Sequence, residues 1–158
     1  MAGSADDNIQ LIERFYRAFD LGDGDTMAAC YLPDATFEDP VFGRLDGREA
    51  GEMWRFLTGR APRLDVDLLE RDADDSSGTA RWQARYEFTA TGRPVVNDVQ
   101  ARFRFRDGLI LEHVDSFSFY GWARQALGVR GLVVGWTPIG RRMVRRQALA
   151  GLRRSMGR

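Results

Sequence analysis

Three ionisable side chains of this chain stand where acid–base chemistry could be done. His113, the only histidine, and Asp115 lie two residues apart in the stretch Gly108-Leu109-Ile110-Leu111-Glu112-His113-Val114-Asp115-Ser116-Phe117-Ser118-Phe119. Side chains alternate along a strand, so Leu109, Leu111, His113, Asp115, Phe117 and Phe119 are expected on one face and Ile110, Glu112, Val114, Ser116 and Ser118 on the other. An ionisable pair on an apolar row is costly to bury unless it is paired, and such costs are usually met at working sites. The plainer alternative is a strand near the sheet end whose polar pair is partly solvated. The third group is Asp39, in Ala35-Thr36-Phe37-Glu38-Asp39-Pro40-Val41-Phe42-Gly43. A residue before proline is pushed out of the helical region, which places Asp39 in a semi-rigid bend just beyond a strand end. Taken alone, that piece reads more readily as a common Asp-Pro turn. Together, a carboxylate and an imidazole held by a second carboxylate would form an acid–base site.

The elements that must position these groups are legible in the hydrophobic pattern. Asp7 or Asn8 can cap a first helix whose Ile12, Phe15 and Phe19 recur on one side. Asp20-Leu21-Gly22-Asp23-Gly24-Asp25 supplies a stop, a turn and a new cap, and a short helix from Asp25 is expected to end at Pro33-Asp34. A third helix is predicted over Gly47 to Leu57. Strands follow: Leu64, Val66 and Leu68 alternate with acids, and Ala80, Trp82, Ala84, Tyr86 and Phe88 oppose Arg81, Gln83, Arg85 and Glu87. Then Val95, Asn97, Val99, Ala101, Phe103 and Phe105 oppose Val96, Asp98, Gln100, Arg102, Arg104 and Arg106. Helices first and antiparallel strands after them predict an α+β cone, with helices closing over the apolar face of a curved, mostly antiparallel sheet.

The chain has 158 residues, 44% of them hydrophobic and 29% charged, which suits one globular unit with a sizeable core. One cysteine, Cys30, excludes an intrachain disulfide framework. Neither a signal pattern nor an apolar run of membrane-spanning length is present, so a cytoplasmic location is expected. A single histidine among scattered carboxylates gives no metal-ligand spacing, and neither metal nor cofactor is expected.

The formal net charge of zero hides a split. Residues 1–120 carry all 23 acids and 14 arginines, residues 121–158 carry nine arginines and no acid, and the chain has no lysine. A 1–120 pocket domain with a basic 121–158 helical extension is expected. Gly121 to Gly128 reads as a short helix and Leu132 to Trp136 as an apolar link. Thr137-Pro138 offers a cap and first-turn proline for a closing helix. On its wheel Ile139, Met143, Val144, Ala148 and Ala150 fall opposite Arg142, Arg145, Arg146 and Arg153, with Leu149, Leu152 and Met156 intruding on the arginine side. Packing on the body or on a dimer mate, or adsorption to an anionic membrane surface, are the alternatives for it. The Arg-rich sheet face is expected to be a solvated or dimer-facing outer surface, and because the aromatics lie on the opposite face, where they could not stack bases beside those arginines, no nucleic-acid partner is expected.

The ordered set Asp20-Leu21-Gly22-Asp23, Tyr31 to Pro40, Gly47-Arg48-Glu49 and Asp107 to Asp115 resembles the NTF2-like superfamily, in particular its SnoaL-like and ketosteroid-isomerase-like branch, over residues 8 to 120. The resemblance implies a homodimer with an apolar pocket in each cone. It places Asp39 where the isomerases keep the carboxylate that moves a proton between carbons, and Asp115 where the SnoaL-type cyclases keep an acid–base aspartate. The isomerase's oxyanion tyrosine falls at Phe15, next to Tyr16, and its second donor at Ala101. Steroid isomerisation is therefore not expected. The epoxide hydrolases of this fold need an arginine between two aspartates, where the row Asn97, Val99, Ala101, Phe103 offers only Asn97. Scytalone dehydratase uses two histidines, against one here.

The expected pocket is lined by Phe15, Tyr16, Tyr31, Trp54, Trp82, Tyr86, Asn97, Phe103 and Phe117, with Asp39, His113 and Asp115 as its ionisable groups. That mix suits a small hydrophobic ligand with one or two carbonyl or hydroxyl groups. Two functions fit: a cofactor-independent isomerase, cyclase or dehydratase acting on a hydrophobic carbonyl compound, or a non-catalytic binding protein for a lipid, steroid or polyketide.

Overall fold

A computed structural model describes residues 3–60, 64–129 and 137–157. The elements run α1 (Ala5–Asp20), α2 (Gly24–Ala29), β1 (Tyr31–Asp39), β2 (Gly43–Asp46), α3 (Gly47–Arg60), β3 (Asp65–Ala73), β4 (Ser77–Phe88), β5 (Arg93–Arg106), β6 (Leu109–Ser116), α4 (Phe119–Leu127) and α5 (Pro138–Met156). The strands form one sheet in the order β2-β1-β6-β5-β4-β3, parallel only between β1 and β6. This is the expected α+β arrangement.

Helix α1 starts before the expected cap. Ser4 accepts from the Asp7 backbone N–H while Asp7 accepts from that of Ser4, a reciprocal box that satisfies two otherwise orphaned donors. Asn8 instead lies inside the helix, buried, and its Nδ2 donates to the Asp74 carbonyl at 2.9 Å. The stripe Leu11, Ile12, Phe15 and Phe19 is buried in the main core, as its spacing requires.

The second helix ends at Ala29 rather than at Pro33, because the chain enters the sheet at once: the Ile110 N–H donates to the Cys30 carbonyl at 2.8 Å and Tyr31 pairs with Ile110. Pro33 is tolerated where the β1–β6 register shifts, between Tyr31 and Thr36. A second shift departs from strict alternation in β6. Arg104 pairs with Glu112 but Phe105 pairs with Ile110, so Leu111 is an extra residue. Ile110 therefore joins the core at 1% exposure, whereas Leu109 and Leu111 are only half-buried. Alternation resumes at Glu112, which leaves His113 and Asp115 inward as expected.

On the outer face the arginines meet acids from neighbouring strands: Arg81 with Asp98 and Arg85 with Asp67, both at 2.8 Å, and Arg104 with Glu112 at 3.7 Å. These contacts make the outer face an ion-pair surface.

The tail packs on the same body. Ser118 caps α4 by accepting from the Gly121 N–H, so Phe119 opens a helix instead of continuing the strand row. Phe119, Trp122, Ala123 and Ala126 are buried with Val95 of β5. The Gln125 side chain adds two bonds to the Val96 backbone, at 2.8 and 3.1 Å. Thr137 and Pro138 start α5 as expected. Its inward face differs from the expected one: Gly140, Gly151 and Leu152 are buried, whereas Ile139 and Met143 are 70% and 58% exposed. The intruding residues Leu149, Leu152 and Met156 reach the core together with Ala148 of the expected face, and Val144 of that face joins the second cluster, because α5 seats on α3 where Gly151 faces the Phe56 ring. The apolar link 132–136 lies outside the described residues. Among the described residues no helix is long and apolar enough to cross a membrane.

Candidate functional site

His113 is fully buried and both ring nitrogens are engaged. Its Nδ1 lies 2.7 Å from Tyr31 Oη and its Nε2 lies 2.8 Å from Asp115 Oδ1. Trp54 Nε1 donates to the same Tyr31 oxygen at 2.8 Å. One arrangement of protons satisfies all of these atoms. Trp54 donates to Tyr31, Tyr31 donates to Nδ1, and Nε2–H donates to the Asp115 carboxylate, which fixes the imidazole as its Nε2–H tautomer. Burial, the largest influence on Tyr31, holds its phenol well above the ordinary value, which keeps it a donor.

Aromatic rings enclose this chain. The centroids of Phe103, Phe37 and Phe15 lie 4.4, 5.0 and 5.6 Å from that of His113. Phe15 also meets Tyr31 and Trp54 edge-on, at 5.8 and 5.5 Å. Of the expected lining, Phe15, Tyr31, Trp54 and Phe103 thus pack against one another and against His113 as core. Tyr16 and Trp82 lie next to them, 5.7 Å apart. Tyr16 Oη and Trp82 Nε1 are buried donors with no hydrogen-bond partner among the described residues. Burial and then the Asp115 charge push the Tyr16 phenol well above its usual value.

Asp39 reaches this site through strand register. In the parallel β1–β6 pair Phe37 lies beside His113 and Glu38 beside Val114. The next step along both strands puts Asp39 beside Asp115, on the inward face that Phe37 and His113 share. On the other side of β6, Ala101 pairs with Asp115. Asp39 Oδ1 accepts the backbone N–H groups of Val41 at 2.9 Å and Phe42 at 2.6 Å, the local turn that the Asp-Pro sequence predicts. Its carboxyl is nonetheless withdrawn from water, although the residue as a whole is half-buried. Desolvation outweighs the Phe42 donor, the Asp115 charge adds to it, and the Val41 donor and the Arg145 guanidinium oppose it. The result is a carboxyl raised to about 7.

An aromatic cluster near the Asp39 turn joins the sheet to the tail. Tyr86, Phe117 and Val41 pack in a second cluster with Phe119 and Trp122 of α4 and Val144 of α5. Trp122 Nε1 donates to Tyr86 Oη at 2.8 Å. Burial raises the Tyr86 phenol, the Trp122 bond lowers it, and the Asp39 charge raises it further. Asn97 of β5 is half-buried opposite Ala84.

The expected residues therefore divide into a packed interior around His113 and an aromatic cluster near Asp39. Sequence reasoning missed Trp122 and Arg145. The basic tail beside an acidic body was a signal for the second, whereas only the Ser118 cap, three residues before Gly121, hinted at the first. An open groove of about 430 Å³ lies elsewhere, against Asp74, Thr79, Arg102, Arg104, Glu112 and Val114, and neither Asp39 nor Asp115 lines it. Among the described residues no three potential metal ligands converge.

This architecture recurs in known proteins. An M. tuberculosis LEH-like epoxide hydrolase is 26% identical, with a TM-score of 0.66 over 82% of this chain and 95% of its own. A candidate polyketide cyclase from Xanthomonas campestris pv. campestris is 23% identical, with a TM-score of 0.67 over 78% and 98%. A protein with a ketosteroid isomerase-like fold from Catenulispora acidiphila is 18% identical, with a TM-score of 0.67 over 82% and 98%. No curated protein matches by sequence. The model of the SnoaL-like domain matches residues 12–113, well over half of the sequence and the part that runs from α1 to His113. The chain belongs to the SnoaL-like domain family.

Proposed function

We propose that the protein is a cofactor-independent acid–base enzyme, of isomerase, cyclase or dehydratase type, acting on a small hydrophobic carbonyl compound at Asp39. The arrangement that carries this reading is the Asp39 carboxyl held by two backbone donors at the end of β1, in the strand that runs parallel to the His113 and Asp115 row, where desolvation raises it to about 7. A base whose pKa lies near the operating pH combines the correct protonation state with a useful driving force for proton transfer. The likeness to an epoxide hydrolase and to a candidate polyketide cyclase supports small-molecule chemistry of this general kind.

In this mechanism the Asp39 carboxylate takes a proton from the carbon next to the substrate carbonyl. The electron pair of the broken C–H bond moves into the carbonyl to give an enolate. Asp39 then returns the proton to another carbon in an isomerisation. In a cyclisation the enolate carbon attacks a second carbonyl within the same molecule, and the new alkoxide takes the proton. Tyr16, a buried donor without a partner, would hold the developing oxyanion. His113 acts from behind: its Nε2–H orients Asp115, and its Nδ1 is occupied by Tyr31.

The test is exchange of α-hydrogens for deuterium in a panel of hydrophobic ketones, followed by NMR in heavy water. Exchange that falls by about 10²- to 10⁴-fold in Asp39→Asn is the expected result. If no ketone exchanges, or Asp39→Asn exchanges as fast as the wild type, the enzyme reading fails. An apolar ligand retained in native mass spectrometry would then favour the binding protein.

A further inference from the structure

The ionisable groups of the sheet that act on or feel Asp39 are Asp115 of β6 and Tyr86 of β4, neither of which brings a positive charge. The positive group comes from α5, beyond the matched residues 12–113. Val144 packs into the aromatic cluster with Val41, Tyr86, Phe117 and Trp122. The next residue, Arg145, lies across the β1–β2 turn. A Cβ placed on Gly43 would come within 3.3 Å of Arg145 Nε and 3.5 Å of its Cζ. Gly43 has φ +72 and leaves open the space that the guanidinium fills. This position is fixed by the packing of α5, whose Leu152 is 1% exposed and whose Gly151 meets Phe56 of α3. Among the described residues no carboxylate makes an ion-pair contact with Arg145, and residues 121–158 contain no acid to do so.

We propose that Arg145 is the anion-binding residue of this site, so that the ligand is a hydrophobic compound carrying a carboxylate or an acidic enol oxygen. The proposal rests on the reading that the ligand sits at Asp39. Without Arg145 a site holding Asp39 and Asp115 would repel such a ligand. The planar guanidinium offers a fork of donors that matches a carboxylate or a delocalised enolate. The tail is then a specificity element: it selects the charge of what enters, while the aromatic cluster selects its apolar body. Its charge opposes the desolvation of Asp39, so the same residue tunes the base.

Two fluorescent probes with the same ring system test this. Anilinonaphthalene sulfonate is anionic, and phenylnaphthylamine lacks the sulfonate. Arg145→Gln is expected to weaken the sulfonate about tenfold, the loss of one charge-assisted contact, and to leave phenylnaphthylamine unchanged, with partial recovery in Arg145→Lys. The Asp39 carboxyl, followed by carbon NMR, should titrate roughly half a unit or more higher in Arg145→Gln. Unchanged sulfonate affinity, equal weakening of both probes, or no binding of either to the wild type would overturn the proposal. If charge discrimination depends on Arg145 while no ketone exchanges, the arginine assignment stands and the acid–base reading falls.

Discussion

Tyr31 Oη stands 2.7 Å from His113 Nδ1 and at the same time accepts from Trp54 Nε1, so a single hydroxyl closes the polar chain that orients Asp115. Removing it leaves two buried nitrogens without partners in a fully aromatic shell. Each such orphan costs about 1–3 kcal/mol. Tyr31→Phe is therefore expected to destabilise the fold by about 2–4 kcal/mol in urea denaturation, while ring packing is kept. In the wild type, nitrogen NMR of His113 should report the Nε2–H tautomer. An Nδ1–H tautomer would refute the assigned direction of the chain.

The raised Asp39 carboxyl makes stability fall with pH. Its value is about 7 in the fold, against 3.8 as the ordinary one. Between these values the folded state holds a proton that the unfolded chain has lost, so stability decreases as pH rises through this window. A displacement of about three units corresponds to roughly 4 kcal/mol as an upper bound. Asp39→Asn keeps an oxygen for the Val41 and Phe42 N–H groups and removes the charge. It should be more stable than wild type at pH about 8, by up to that amount, with the gain vanishing near pH about 4. Equal stability of the two proteins at both pH values would show that the carboxyl is solvated.

Turnover should follow the same group in the opposite sense. If Asp39 works as a base, α-proton exchange at limiting substrate rises with pH and levels off above about 7. One unit below that midpoint roughly a tenth of the enzyme carries the reactive carboxylate. A rate independent of pH between about 5 and 9 would assign the chemistry to another group.

The strand half of this architecture was legible because period-two patterns leave little choice of face. The rows from Trp82 to Phe88 and from Val95 to Phe105 fall inside or outside as alternation requires, and His113 and Asp115 are inward. Errors arose where pairing overrode local pattern. Leu111 is an extra residue in β6 because of a register shift set by Phe105 and Ile110, which no local signal encodes. Tyr31 to Asp34 join β1 because β6 offers a parallel partner. The α5 wheel holds for Val144 and Ala148 but not for Ile139 and Met143, because small residues make its contact: Gly151 admits Phe56, and Leu152 follows it inward. The inward placement of His113 and Asp115 and the turn at Asp39 could be read from residue type and alternation. The Tyr31–Trp54 support and the Arg145 contact join elements far apart in sequence, and only the fold brings them together.

Leu152 carries the last prediction, because it decides whether the tail is part of the folded unit. Its side chain is 1% exposed in the main core, although it belongs to the final helix. Truncation of a buried leucine typically costs about 2–5 kcal/mol through lost transfer energy and the cavity left behind. Leu152→Ala should lower the stability read from a single unfolding transition by that amount, and should weaken anilinonaphthalene sulfonate and phenylnaphthylamine together, since both the arginine and the aromatic cluster depend on where α5 sits. Arg145→Gln, by contrast, should separate the two probes. A Leu152→Ala protein with unchanged stability, or with a separate early transition for the tail, would mean that α5 folds independently of the sheet.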